Sequence, residues 1–215
     1  VTEEESFFAC QNAGGEGGWS AARSFTVLLP TYVSGAITSN TTWTKTACPY
    51  YVMTDDVTVN AGVQLTVAPG VVVMGQSSTE LLLLGHLEAV GTAANPILFT
   101  SAQDTGPYQW SGLVFDGGTG NLDYVTVRYG GQPNGVLNAI GYPYNGSAIT
   151  ARNVPAPGLT IAHSEIRDSH AYGSYFYGLF AADSQVAIGD TTFSANGYFT
   201  ADYALHATGA STDLT

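Results

Sequence analysis

The chain has 215 residues, of which only 10% are charged, and it carries a formal net charge of −12 at pH 7. Because an average globular protein is about 25% charged, the surface must be built from neutral polar residues, which suits an extracellular protein. The negative charge excludes nucleic acid as a main partner, since five Lys and Arg residues cannot displace the counterions of a phosphate backbone.

Residues 1–34 are predicted to form an N-terminal arm. The arm begins with an acidic head and a Gly-rich stretch at residues 14–18, and it ends in one β-rich run, residues 25–29, which Pro30 stops. Alternate side chains of this predicted strand are Phe25, Val27 and Leu29. The head has neither the basic nor the apolar region of a signal peptide, so we expect a mature secreted chain whose signal has been removed.

The two cysteines, Cys10 and Cys48, are predicted to form a disulfide. A bridge closing a loop of roughly 40 residues would contribute about 3–4 kcal/mol in an oxidising compartment. Two unpaired buried thiols are the alternative, and the sequence leaves open whether a bridge lies within one chain. Asn40 and Asn145 each begin an Asn-X-Ser/Thr sequence and are candidate glycosylation sites if the source cell glycosylates.

Residues 35–215 are predicted to form an all-β, parallel β-solenoid. Short β runs alternate here with Gly, Pro and Asn turns, and no helical periodicity lasts longer than a turn or two. Strands of three to five residues are shorter than the ~5–6 residues usual in globular sheets, and turns this tight are typical of solenoid rungs. The clearest runs are residues 57–59, 65–67, 71–73, 81–84, 87–89 and 97–99. No apolar run approaches the ~20 residues that cross a bilayer, so membrane insertion is not expected.

The repeat is visible as pairs of apolar residues five positions apart: Leu122 with Val127, Ile161 with Ile166, and Ile188 with Phe193. The last two pairs are 27 positions apart, within the ~20–50 residues of solenoid repeats. The first two are 39 apart, and an inserted loop at residues 130–146 accounts for the excess. Residues 204–206 match residues 178–180 about one period earlier. No capping segment is recognisable before residue 215, so the solenoid is expected either to continue in a longer chain or to use its open end for assembly.

Four segments carry a family resemblance: GAITSNTTWT at residues 35–44, DVTVNAGVQLTVAPGVVV at residues 56–73, LEAVGTAANPILFTS at residues 87–101, and WSGLVF at residues 110–115. Together they resemble secreted bacterial right-handed parallel β-helix repeat proteins, well over residues 35–130 and loosely beyond. The resemblance implies a right-handed parallel β-helix. It implies little about activity, because most relatives are uncharacterised or adhesin-like surface proteins.

No catalytic site is recognisable, so the chain is predicted not to be an enzyme. Pectin-degrading hydrolases and lyases share this fold, but their Asn-Thr-Asp, Gly-His-Gly and Arg-X-Lys motifs are absent. The acid pair Asp55 and Asp56 precedes a predicted strand and is expected to solvate a turn. Stacked rungs could bring further carboxylates together as a glycosidase pair, although isolated turn residues are the simpler interpretation of Asp168, Asp183 and Asp190.

Arg128 and Arg167 follow equivalent positions and are expected to lie one above the other. They could form a polyanion site, or they could be solvated arginines matched by Glu165 and nearby acids. No cofactor is predicted. Zinc is not expected, because the four histidines fall in different rungs without cysteine partners. Calcium remains possible through Asp and Asn in turns, although no calcium-loop motif is present.

Tyrosines provide the best candidates for contact with a glycan or with another protein. Tyr142 and Tyr144 lie in the inserted loop, and Tyr172, Tyr175 and Tyr177 lie in an aromatic stretch that also holds Phe176 and Phe180. Tyrosine rings on a neutral surface can stack on sugar rings or form the core of a protein contact. In the alternative interpretation, alternate members fill or cover the solenoid core.

The sequence therefore predicts a non-catalytic, extracellular structural or adhesive surface protein. Its expected partners are copies of itself, surface glycans or other surface proteins. The predicted strand at residues 25–29 could add to the open edge of a neighbour, which would build a head-to-tail filament or layer. A carbohydrate-binding module that uses the Tyr-rich loop is the alternative, and a polysaccharide lyase or hydrolase is the third hypothesis.

Overall fold

The computed structural model describes residues 11–12, 15–16, 29–45, 50–139, 146–171, 175–197, 203–209 and 213–214. Strands β1 (Gln11–Asn12) and β2 (Gly15–Glu16) form a short antiparallel pair. All later strands pair in parallel, each with its counterpart in the next coil. This confirms the predicted all-β, parallel β-helix.

Each coil crosses three faces. The strand β3 (Thr31–Ile37) and the long strand β5 (Tyr50–Val59) pair with each other and bend around the corner between the first and second faces. The first face continues with β7 (Val72–Gly75), β10 (Ile97–Ser101), β13 (Val125–Arg128), β16 (Glu165–Arg167) and β19 (Thr192–Ser194). The second continues with β8 (Glu80–Leu83), β11 (Gly112–Asp116), β14 (Gly146–Arg152), β17 (Phe176–Ala182) and β20 (Tyr203–Thr208).

The third face is a separate sheet. Its strands are β4 (Thr41–Trp43), β6 (Gln64–Val67), β9 (His86–Val90), β12 (Thr119–Asp123), β15 (Leu159–Ala162), β18 (Gln185–Gly189) and β21 (Asp213–Leu214). The one described helix is α1 (Gly135–Ala139), which lies between β13 and β14 inside the predicted insertion. No helix among the described residues is long and apolar enough to cross a membrane.

Apolar side chains stack in columns inside the coils. Leu122, Ile161 and Ile188 are direct partners on the third face, as the five-residue pairs predicted. The matching column on the first face, Val127 with its two partners, is also confirmed, and so is the pairing of residues 178–180 with residues 204–206. On the second face the column runs through positions 57, 81, 113, 149, 179 and 205, with spacings of 24, 32, 36, 30 and 26 residues. The core is therefore continuous although the repeat length is not constant.

The corners of the later coils share one hydrogen-bonding pattern. A residue in the left-handed conformation comes directly after the strand, and a buried serine follows it at Ser164, Ser169 and Ser184. Each of these hydroxyls donates to the carbonyl two residues earlier. Each also accepts a backbone N–H from the preceding coil. These hydrogen bonds satisfy backbone polar groups that would otherwise be buried without a partner at the corner.

The predicted boundary between arm and solenoid lies inside a strand. Pairing with β5 begins at Thr31, four residues before position 35. Of the candidate assembly strand, Phe25 and Val27 lie outside the described residues. Leu29 is described, is 72% exposed, and precedes β3.

Candidate functional site

Eight of the twelve predicted site residues lie in parts of the chain that the structure does not describe: Cys10, Phe25, Val27, Cys48, Tyr142, Tyr144, Asn145 and Tyr172. Asn40 is described and exposed. Its side-chain oxygen accepts the backbone N–H of Gln64, 24 residues later, at 2.9 Å. Asn40 therefore joins two successive coils, and its use as a glycosylation site stays a prediction.

Tyr175 and Tyr177 belong to an aromatic cluster on the outward side of the second face. We define this aromatic cluster as Tyr175, Tyr177, Phe180, Tyr203 and His206. Phe176, on the same strand β17, points the other way and is buried in the main core. Tyr177 and Phe180 are also buried but belong to a separate apolar group. The structure thus divides the aromatic stretch between the core and an outer layer.

The rings of the aromatic cluster contact one another directly. His206 stacks on Phe180 at 5.3 Å and 18°, and its ring centroid lies 4.8 Å from that of Tyr177. Tyr203 stacks on Tyr177 at 5.9 Å and 19°, and Tyr175 lies 6.4 Å from Tyr203. Two of these rings, Tyr175 and Tyr203, remain 43% and 48% exposed. Such a half-exposed pair on a rigid aromatic base can take a flat apolar face, such as that of a sugar ring.

Glu80 has an unusual environment that the sequence did not predict. It begins β8, and burial raises the pKa of its carboxyl group from 4.5 to about 7. The Asp56 and Asp116 carboxylates add to the rise, while a hydrogen bond from the Gly135 backbone N–H opposes it. Asp56 is held close because its own carboxylate accepts the backbone N–H of Glu80 at 2.9 Å. The carboxyl group therefore joins β8 to the start of the insertion helix α1.

This environment predicts a pH dependence of stability. Between pH 4.5 and 7 the folded chain binds more protons at Glu80 than the unfolded chain does, so this group's contribution to stability falls as pH rises through that window. Glu80→Gln, which stays neutral, should gain about 2 kcal/mol relative to wild type between pH 4 and pH 8. Urea denaturation at both pH values measures the difference. A gap between the two proteins that does not change with pH would contradict the assignment.

The candidate catalytic acids are not brought together. Asp168, Asp183 and Asp190 each occupy a left-handed corner position, and the three corners are different ones. Side chains stack in one column only when they occupy the same corner of successive coils. Because these three acids occupy different corners, the hypothesis that stacking makes them a carboxylate pair is wrong. Asp55 and Asp56 are exposed where β5 bends, inside the strand and not before it.

The arginines are paired with acids. Arg128 and Arg167 are direct partners on the first face, as predicted. Arg128 makes a bidentate ion pair with Asp104, at 3.0 and 2.6 Å, and Arg167 bonds both Glu165 and Asp168. These ion pairs favour the interpretation that both arginines are matched by nearby acids over the interpretation that they form a polyanion site. Among the described residues, no group of three or more His, Cys, Asp or Glu side chains could hold a metal ion.

Comparison with known proteins gives one match. The model of the pectate-lyase-like beta helix domain matches residues 35–152, which is more than half of the chain. No curated protein and no solved structure matches the chain. The matched segment runs from the middle of β3 to the end of β14, so the aromatic cluster lies on the coils beyond it.

Proposed function

The chain belongs to the pectate-lyase-like β-helix domain family, and we propose that it is a non-catalytic, extracellular adhesive module that binds a neutral glycan. The aromatic cluster is the proposed binding site. The observation that carries this proposal is the half-exposed pair Tyr175 and Tyr203, which lies against the buried rings of Tyr177 and Phe180 and the half-buried ring of His206.

The contacts of the Glu80 carboxyl group and of its neighbour Asp56 support the non-catalytic part of the proposal. The Glu80 carboxyl group, whose pKa burial raises, bonds the backbone of the insertion at Gly135. Its neighbour Asp56 bonds a backbone N–H of β8. A glycosidase needs one of two carboxyl groups to protonate a leaving group and the other to attack or to activate water, and both of these carboxyl groups are committed to holding the fold.

A neutral ligand fits the charge of the protein. With a net charge of −12, the molecule repels acidic polysaccharides at long range. Binding through ring stacking requires little desolvation of charge, since sugar C–H groups pack on the face of tyrosine. A surface with few charged groups is therefore well suited to hold an uncharged chain.

Glycan-array binding tests the site. Tyr175→Ala combined with Tyr203→Ala should weaken retention of the bound glycan by about tenfold, because two ring contacts are lost. The matched control is Tyr175→Phe with Tyr203→Phe, which keeps both rings and should keep binding. Equal retention by the alanine and wild-type proteins, or retention of no glycan by wild type, would overturn the proposal.

Self-association is the second candidate function, favoured by exposed apolar side chains near the start of the solenoid. Leu29 and Tyr32 are 72% and 66% exposed, and Tyr50 on the adjoining strand is 42% exposed. A contact between copies would cover these side chains. Negative-stain microscopy of wild type should then show filaments or layers, and Leu29→Ser with Tyr32→Ser should disperse them. Dispersed wild-type monomers at high concentration would rule out this second function.

A further inference from the structure

A cavity of about 320 Å³ lies at the corner between the first and second faces. It opens where β7 and β10 end, and its lining consists of Gly75, Gln76, Ser77, Ala102, Gln103 and Gln109. No charged side chain contributes to this lining, and three of the six residues are glutamines. Its volume is at the lower end of the ~300–1,000 Å³ that small-ligand sites occupy.

The wall of the cavity is organised by Gln109. Its side-chain oxygen accepts the Ser101 hydroxyl and the Thr105 backbone N–H, the latter at 3.3 Å. Its side-chain nitrogen donates to Gln103 at 3.2 Å and to the Thr105 hydroxyl at 2.7 Å. Because both atoms of the amide are engaged, its orientation is fixed. The side-chain oxygen of Gln103 is therefore oriented toward Gln109.

The insertion holds one of the turns that line the cavity. The Gln132 side chain donates to the Ser77 hydroxyl at 3.1 Å and accepts the backbone N–H of Ser78. This contact spans more than fifty residues of sequence and fixes the turn that carries Gln76 and Ser77. Asp104, which follows the lining residue Gln103 in the sequence, is paired with Arg128, so this ion pair offers no net charge to a ligand.

Hydrogen-bonding groups remain for a ligand. Among the hydrogen bonds of the described residues, none uses the side-chain amide of Gln76, and only the oxygen of Gln103 is used, by Gln109. The two side chains thus leave four N–H donors and one carbonyl acceptor available in the lining of the cavity. Primary amides bond hydroxyl groups as both donors and acceptors, whereas they cannot neutralise a carboxylate or a phosphate.

We propose that this cavity is a second binding site, which takes one or two rings of a neutral, hydroxyl-rich saccharide. It lies on the coils of β7 and β10, whereas the aromatic cluster lies on those of β17 and β20. The site therefore goes beyond the proposed function and does not depend on it. Its ligand is held by hydrogen bonds from amides, while the aromatic cluster holds its ligand by ring stacking.

Saturation-transfer NMR on the full chain tests the second site, with glucose, galactose, mannose, cellobiose and lactose as probes and glucuronic acid as the charged comparison. At least one neutral probe should bind and glucuronic acid should not. Gln76→Leu with Gln103→Leu should weaken that binding by about tenfold, since two hydrogen-bonding amides are lost. Both side chains are exposed, and the double variant loses only the exposed hydrogen bond from Gln109 to Gln103, so the thermal midpoint should change little.

Two controls separate this site from the aromatic cluster. Gln185→Leu replaces an exposed glutamine on the third face and should leave binding unchanged. Tyr175→Ala with Tyr203→Ala should also leave it unchanged, even if that variant loses glycan-array binding. Binding of no neutral probe, equal binding by the Gln76 and Gln103 variant, or loss of binding only in the tyrosine variant would each overturn the second site.

Discussion

Replacing Gly85 by alanine should lower the free energy of unfolding by about 3 kcal/mol or more, the upper end of overpacking effects. A Cβ atom at Gly85 would lie 2.2 Å from the carbonyl oxygen of Val63 and 2.3 Å from that of Asn60. Both obstacles are backbone atoms, so no side-chain rotation can relieve the clash. The coils would have to separate at this corner, where the Gly85 N–H also bonds the carbonyl of Val59 at 3.0 Å.

Gly189→Ala is the matched control for Gly85→Ala. Gly189 ends a strand of the third face, and a Cβ there would meet no atom within 4 Å. The change should alter stability by no more than about 0.5 kcal/mol, with a small gain from the stiffer unfolded chain. Urea denaturation of the two variants gives the comparison. Similar midpoints for both would mean that the coils are not stacked as closely as described.

Trp110→Ala should cost about 3–5 kcal/mol, the usual range for deleting a fully buried aromatic side chain. The indole has no exposed surface, and its N–H donates to the carbonyl oxygen of Arg128 at 2.9 Å. It also packs against Gly75, where a Cβ would lie 2.7 Å from the ring. Trp110 therefore links the segment that carries Gln103 and Gln109 to the coil of Gly75 and to the coil of Arg128.

Trp110→Phe separates packing from the hydrogen bond. Phenylalanine keeps most of the buried ring and loses only the N–H, so its cost should be smaller than that of alanine by about 2 kcal/mol. Thermal and urea denaturation of both variants measure this difference. A loss below about 1 kcal/mol for Trp110→Ala would show that the segment is held by other contacts.

The stacking order was predictable because inward positions of a β-helix must be apolar in every coil. Leu122, Ile161 and Ile188 keep that property across an insertion, so the shared five-residue spacing identified the register. The same register placed Phe180 over His206, which the structure shows as stacked rings. Alignment of these two residues could have extended the predicted tyrosine group to the full aromatic cluster.

The raised pKa of Glu80 and the glutamine-lined cavity could not be predicted in the same way. Both depend on where the insertion packs, since Gly135 reaches Glu80 and Gln132 reaches Ser77. These contacts join residues more than fifty positions apart, and coil spacings on the second face vary from 24 to 36 residues. The spacing of apolar residues within one coil does not specify contacts over such long sequence separations. Glu80 did carry one signal, an acid at the start of an otherwise apolar strand.

The carboxylates at the corners of the coils, in contrast, could be interpreted from the sequence. Asp168, Asp183 and Asp190 were identified as isolated turn residues or as a stacked pair, and the first interpretation holds. Aspartate tolerates the left-handed conformation that each corner needs, so it recurs there for reasons of backbone geometry. Recurrence of an acid along a solenoid is therefore weak evidence for catalysis unless the positions share a column.

Mass spectrometry of the purified chain, after prolonged incubation with the glycan that it retains on the array, distinguishes binding from catalysis. We expect a complex that contains the glycan at its original mass, with no shortened fragments and no unsaturated ends. Glycan fragments produced by the wild-type chain, or the absence of any complex, would contradict a non-catalytic glycan-binding β-helix.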